Sequence, residues 1–147
     1  MKKIIFYEIS WLILLLLVYL ENQILIMPTW YVSNILFINS ALMGSLGGII
    51  YCLRGIYVNK SFKKEWDVDW HIWYYLRPLT SLISGFVSCI FLKAGLLTLD
   101  VGDSSGNIHF GYFAVAFIAG YNVDNFMKKI ESLAKTVWGI EKSKSSE

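Results

Sequence analysis

Apolar residues along this chain fall into four long blocks divided by short polar breaks. The first covers residues 4–20, of which 11–20 are all apolar. The second, 30–53, carries no formal charge. The third, 79–99, is interrupted only by Lys93, and the fourth, 108–123, is shorter and uncharged apart from a neutral His109. A bilayer core is crossed by about 20 apolar helical residues. Blocks without strict alternation read as helices rather than barrel strands. The pattern therefore predicts an all-α membrane protein with four transmembrane helices, residues 1–123 forming the membrane domain. A cytoplasmic interfacial loop helix is expected between the second and third spans. An amphipathic cytoplasmic helix with a fraying tail is expected over 124–147.

Lys2 and Lys3 before the first block resemble the basic start of a signal peptide. The length of the block and the Glu21-Asn22-Gln23 that follows, without a small-residue cleavage site, favour an uncleaved anchor. Basic residues set the orientation, because cytoplasmic loops carry the excess of Lys and Arg. With four spans, Lys2, Lys3, Arg54, Lys60, Lys63, Lys64, Arg77, Lys128, Lys129, Lys135, Lys142 and Lys144 share one side, twelve of the thirteen cations. Glu21, Asp100 and Asp103 lie on the other, approached only by Lys93. Both termini are expected in the cytoplasm of a bacterial inner membrane. A three-span arrangement would divide the cations between the two faces.

Composition agrees. Hydrophobic residues make up 56% and charged residues 16% of the 147, against about 25% charged in a soluble domain. That balance excludes a disordered charged chain. A net charge of +2 gives no reason to expect direct nucleic-acid binding. Two cysteines, Cys52 and Cys89, exclude a disulfide scaffold or zinc ribbon and read as small packing residues.

Small residues repeat at spacing four: Ser40, Gly44, Gly48 and Cys52 in the second block, with Gly47 beside them; Ser81, Gly85 and Cys89 in the third; Ala116 and Gly120 in the fourth. Such stripes let membrane helices approach closely, either within one chain or in a homo-oligomer. Ionisable residues in spans are candidates for function, but Glu8 and Lys93 lie near span ends and are expected to snorkel. Asn34 and Asn39 could bridge helices.

The run 66–78, Trp-Asp-Val-Asp-Trp-His-Ile-Trp-Tyr-Tyr-Leu-Arg-Pro, is the most distinctive. Trp66, Trp70 and Trp73 recur at helical spacing and suit the headgroup level. Arg77 is placed to meet a lipid phosphate, and Pro78 to open the third helix. Asp67, Asp69 and His71 alternate as strand ligands would, which the helical Trp spacing disfavours as a metal set. In the tail, Phe126, Met127, Ile130, Leu133, Ala134, Val137 and Trp138 form one apolar helical face opposite Lys128, Lys129, Glu131, Ser132 and Lys135. Such a face suits the anionic leaflet or a partner. The chain carries no H-E-x-x-H, G-x-S-x-G or Walker-type loop, so neither catalysis nor a cofactor is expected.

Gly47-Gly48 with Tyr51 and Arg54, the 70–78 run, Lys93-Ala94-Gly95-Leu96-Leu97 and Phe117-Ile118-Ala119-Gly120-Tyr121 together resemble a group of small four-span bacterial inner-membrane proteins over about residues 42–138. Ser81 and Lys93 stand where that group often has Gly and Arg. The chain also looks like the membrane subunits of two-gene Kiwa anti-phage systems. That likeness implies a cytosolic, DNA-binding protein partner and a role in sensing phage attack. The reading is a non-enzymatic scaffold or sensor that contacts lipids, forms a homo-oligomer and recruits a cytosolic partner through Lys63, Lys64, Lys128, Lys129 and Lys135. The alternative is an oligomeric channel lined by Asn34, Asn39 and Ser40.

Overall fold

The computed structural model describes residues 2–24, 28–64, 70–97 and 108–139. Its helices are α1 (Lys2–Ile24), α2 (Thr29–Tyr57), α3 (Trp70–Lys93), α4 (Ile108–Tyr121) and α5 (Val123–Trp138). Pro28, at φ −56°, opens α2, and its carbonyl accepts the N–H groups of Tyr31 and Val32. Beyond Tyr57 the chain winds on as a π-helical turn, Val58–Lys63, which stops where Lys64 takes a left-handed conformation. Lys2–Asn22, Thr29–Lys63 and Trp70–Lys93 are long and apolar enough to cross a membrane. Helix α4 has 14 residues, about 21 Å at 1.5 Å per residue, against a hydrocarbon core of about 30 Å.

Helix α2 is central, packing first against α3 and then α4, with α1 at the side. Contacts fix the directions. Gly44 meets Gly85, Gly48 meets Ser81, and Gly55 meets Tyr74, so α3 runs antiparallel to α2. Gly44 and Gly47 meet the Phe117–Tyr121 turn and Arg54 bonds Tyr121, so the end of α4 lies against the second half of α2 and α4 descends beside it. Ile4 of α1 packs with Cys52, Ile56 and Tyr74, while Asn22 bonds Asn39 and Tyr31 at the opposite end. The helices therefore go up, down, up and down.

The small-residue stripes are what let α2, α3 and α4 close. A Cβ on Gly44 would lie 2.5 Å from the Ser81 carbonyl oxygen and 2.6 Å from Gly85 Cα. One on Gly85 would meet the Ser40 carbonyl oxygen at 2.5 Å, and one on Gly120 would overlap the Gly44 carbonyl. Gly44, Gly48, Ser81, Gly85 and Gly120 are thus buried inside the chain. Of the two uses open to this stripe, packing within the chain is the one these contacts make.

Three expectations change. Trp70–Arg77 forms the first two turns of α3, so the third helix covers Trp70–Lys93 rather than 79–99 and contains Pro78 in its interior. Interior proline removes one backbone donor, which membrane helices tolerate where neighbours pack against them. No separate loop helix precedes it among the described residues; Trp66, Asp67 and Asp69 lie outside them. Glu8 does not snorkel. Its spacing of four from Ile4 turns it inward, and it is fully buried.

Candidate functional site

Polar side chains converge where α2 ends and α3 begins. Arg77 stands on the face of α3 turned to α2 and α4 and is only 3% exposed. Its Nη2 donates to the Tyr121 carbonyl oxygen at 3.2 Å and its Nη1 to Asp124 Oδ2 at 3.2 Å. Its guanidinium carbon lies 4.7 Å from the Tyr51 ring centre and 4.9 Å from that of Trp73. Nε has no partner among the described residues.

The reason for this geometry lies in the end of α4. Helix α4 stops at Tyr121, and Asn122, at φ −127° and ψ 59°, breaks it from α5. The last carbonyls of a helix have no acceptor role to play within it. Ser81 Oγ donates to the Gly120 carbonyl at 2.8 Å, and Arg77 serves the Tyr121 carbonyl. Helix α3 thereby caps α4, and a cation at a helix C-terminus is favoured by the peptide dipoles. Arg77 also ties the first turn of α5 to the bundle through Asp124. It faces inward, whereas the sequence reading placed it at the lipid headgroups.

Beside this hub lies an open cleft of about 560 Å³. Tyr51, Arg54 and Gly55 of α2, with Val58, Asn59 and Lys63 of the π-helical turn, form one wall; Trp70, Trp73 and Tyr74 of α3 form the other. Tyr51 and Trp73 belong to both the cleft and the Arg77 sandwich, their rings 5.6 Å apart. Arg54 Nη1 donates to Tyr121 Oη at 2.8 Å, so α4 braces the cleft from behind. Trp70 and Trp73, expected at the interface, do line this surface, whereas the cations on it are Arg54 and Lys63.

A second buried polar group lies nearby. Neither Glu8 oxygen has an oxygen or nitrogen partner among the described residues; the Cys52 thiol is its polar neighbour. At the far end of the bundle Lys93 Nζ sits 4.6 Å above the Phe37 ring. Lys63, Lys64, Lys128, Lys129 and Lys135 are all exposed.

Spacing gave no pointer to Asp124 as the partner of Arg77, nor to Asn59; only the place of Asp124, the first acid after the fourth apolar block, could have suggested it. No family model, curated protein or solved structure matches this chain.

Proposed function

We propose that this protein is a non-enzymatic membrane scaffold and sensor of the bacterial inner membrane. It crosses the bilayer four times, with α4 as the fourth crossing and both termini cytoplasmic, assembles with further copies, and recruits a cytosolic protein. One observation carries the reading. Lys63 and Lys64 are exposed where α2 ends, Lys128, Lys129 and Lys135 are exposed on α5, and Arg77 ties Asp124 at the start of α5 to the bundle. These lysines are the docking surface of the proposal. The likeness to Kiwa membrane subunits supports anti-phage defence as its setting.

The same contacts speak against a pore. Asn34 Nδ2 donates to the Trp30 carbonyl of its own helix at 2.8 Å, Asn39 accepts from Asn22, and Ser40 is buried against α3. Asn39 and Ser40 are thus turned to internal tasks, and Asn34, though exposed, spends its amide on its own helix. Oligomer contacts would instead use the apolar faces of α1 and α3, where Leu16, Leu17, Ile83 and Phe86 are exposed.

Copurification from crosslinked membranes, in cells that also express the neighbouring gene, tests the proposal. The wild-type chain should retain a cytosolic protein that the Lys128→Gln/Lys129→Gln/Lys135→Gln variant loses. A chain that retains none and confers no phage protection refutes it. Reporter fusions at Lys64 and Gly139 should report the same face.

A further inference from the structure

We propose that the cleft between the end of α2 and the start of α3 binds a phosphate-ester anion, the headgroup of an anionic phospholipid. The proposal rests on the membrane reading above. Its cations are Arg54 and Lys63, one on each side of Asn59, and no acidic side chain lines the cleft among the described residues. A guanidinium fork and an ammonium beside an amide donor are the groups that recognise phosphate oxygens. The opposite wall is aromatic, Trp70 and Trp73, whose rings offer an apolar body with a polar edge at the level where glycerol meets acyl chain. The volume lies within the range of ordinary small-ligand sites.

Surroundings select the lipid over a soluble phosphate ester. Ile72, Leu76, Leu79, Ile83, Phe86 and Ile90 are exposed and recur at helical spacing down α3, away from the cleft. Leu76 stands one turn from Trp73. A headgroup held by Arg54 and Lys63 would pass its acyl chains over Trp73 and Leu76, the edge by which this stripe, turned mostly to the other side of α3, meets the cleft. A free nucleotide would leave the stripe unused. The site also has firm walls: Tyr51 and Trp73 are held by stacking on the buried Arg77, and Arg54 by Tyr121.

The test uses the full chain, purified in mild detergent and titrated separately with phosphatidylglycerol, phosphatidylcholine, ATP and inorganic phosphate, with bound ligand read by native mass spectrometry. Phosphatidylglycerol should bind more tightly than phosphatidylcholine. Lys63→Gln should weaken it about fivefold, the effect of one basic residue at an anionic surface, and Arg54→Gln similarly, with Arg54→Lys recovering most of the loss. Lys135→Gln on α5 should leave it unchanged. Equal binding of the two lipids, or an equal loss from Lys135→Gln and Lys63→Gln, overturns the site. Saturable ATP binding without lipid preference overturns the lipid as occupant. Failure of the membrane reading would appear separately, as reporter fusions on opposite faces.

Discussion

Arg77 offers a quantitative test of which contact matters at the hub. Replacing it with Met removes two hydrogen bonds from a charged donor and two cation–π contacts. Its partners are unequal: the Asp124 side chain is 69% exposed and regains water when released, whereas the Tyr121 carbonyl closes α4. Hydrogen bonds to charged groups contribute about 1.5–3 kcal/mol, and the 3.2 Å lengths place these at the lower end. Each partly desolvated cation–π contact adds about 1 kcal/mol. Allowing for what the Met side chain regains by packing, Arg77→Met should destabilise the bundle by about 3 kcal/mol. Arg77→Lys keeps the charge but not the fork, and should lose about half of that. Asp124→Asn removes only a water-exposed ion pair, worth less than about 1 kcal/mol. Reversible unfolding of the purified chain in bicelles, followed by tryptophan fluorescence, measures all three. If Asp124→Asn is as damaging as Arg77→Met, the ion pair rather than the cap on α4 carries the energy, and the reasoning fails. An Arg77→Met variant within about 0.5 kcal/mol of wild type, the range of a neutral surface change, would refute it as well.

Gly44→Ala forces the α2 and α3 backbones apart and should destabilise by about 2 kcal/mol, at the middle of the overpacking range; in the same bicelle assay, a loss under half of that would deny the close approach. Gly139→Ala, which meets no neighbour but sits at φ +68°, should lose about 1 kcal/mol from backbone strain alone, read as fraying of α5 by hydrogen exchange at Trp138. Glu8→Met replaces a buried carboxyl without an oxygen or nitrogen partner by an apolar side chain of similar length, and should raise stability by about 1–3 kcal/mol; a fall would mean that Glu8 has a partner it needs. Tyr7→Phe removes the hydrogen bond to the Tyr75 carbonyl and should loosen α1 alone, seen as faster exchange in residues 2–20 with α2 and α3 unchanged.

Much of the fold was legible because bilayer thickness imposes a length. Apolar blocks near 20 residues mark α1 and α2, the first block with Glu8 as its single charge and the second with none, and a spacing of four among Gly44, Gly48, Ser81, Gly85 and Gly120 marks the faces that meet. The start of α3 was not legible. His71, Arg77 and Pro78 resemble an interfacial segment followed by a helix start, but Tyr74 and Arg77 find partners on α2 and α4, and tertiary contacts carry the helix through the proline. The cleft was legible only in part. Trp70 and Trp73 announce an interface, while the cations arrive because α2 continues as helix past its apolar block and carries Lys63 along the cleft that Arg54 also lines. Pairing across 47 residues, as between Arg77 and Asp124, leaves no periodic trace.

Interhelical hydrogen bonds explain why this bundle has one arrangement. In lipid, exposed Leu and Ile gain nothing by meeting one another, since the tails around them are equally apolar. Helix α1 illustrates the difficulty: Ile13, Leu14, Leu16 and Leu17 are half-exposed, and such a uniform surface selects neither a rotation nor a depth. One end is fixed to a backbone group, by Tyr7 Oη donating to the Tyr75 carbonyl at 3.0 Å, with Ile4 and Glu8 packed against Cys52. The same device recurs twice, in Ser81 to Gly120 and in Arg77 to Tyr121. Each joins a side-chain donor to a backbone carbonyl of the neighbouring helix, and all three lie toward the lysine-rich end. Backbone carbonyls cannot be moved by a rotamer change, so each bond fixes a helix in both depth and rotation. The opposite end is held by side-chain pairs, Asn22 Nδ2 donating to Asn39 Oδ1 and Tyr31 Oη donating to Asn22 Oδ1, in which both partners can change rotamer. The bundle is therefore pinned where the cleft, Arg77 and α5 meet, and any motion it makes in response to a partner should open it from the other end.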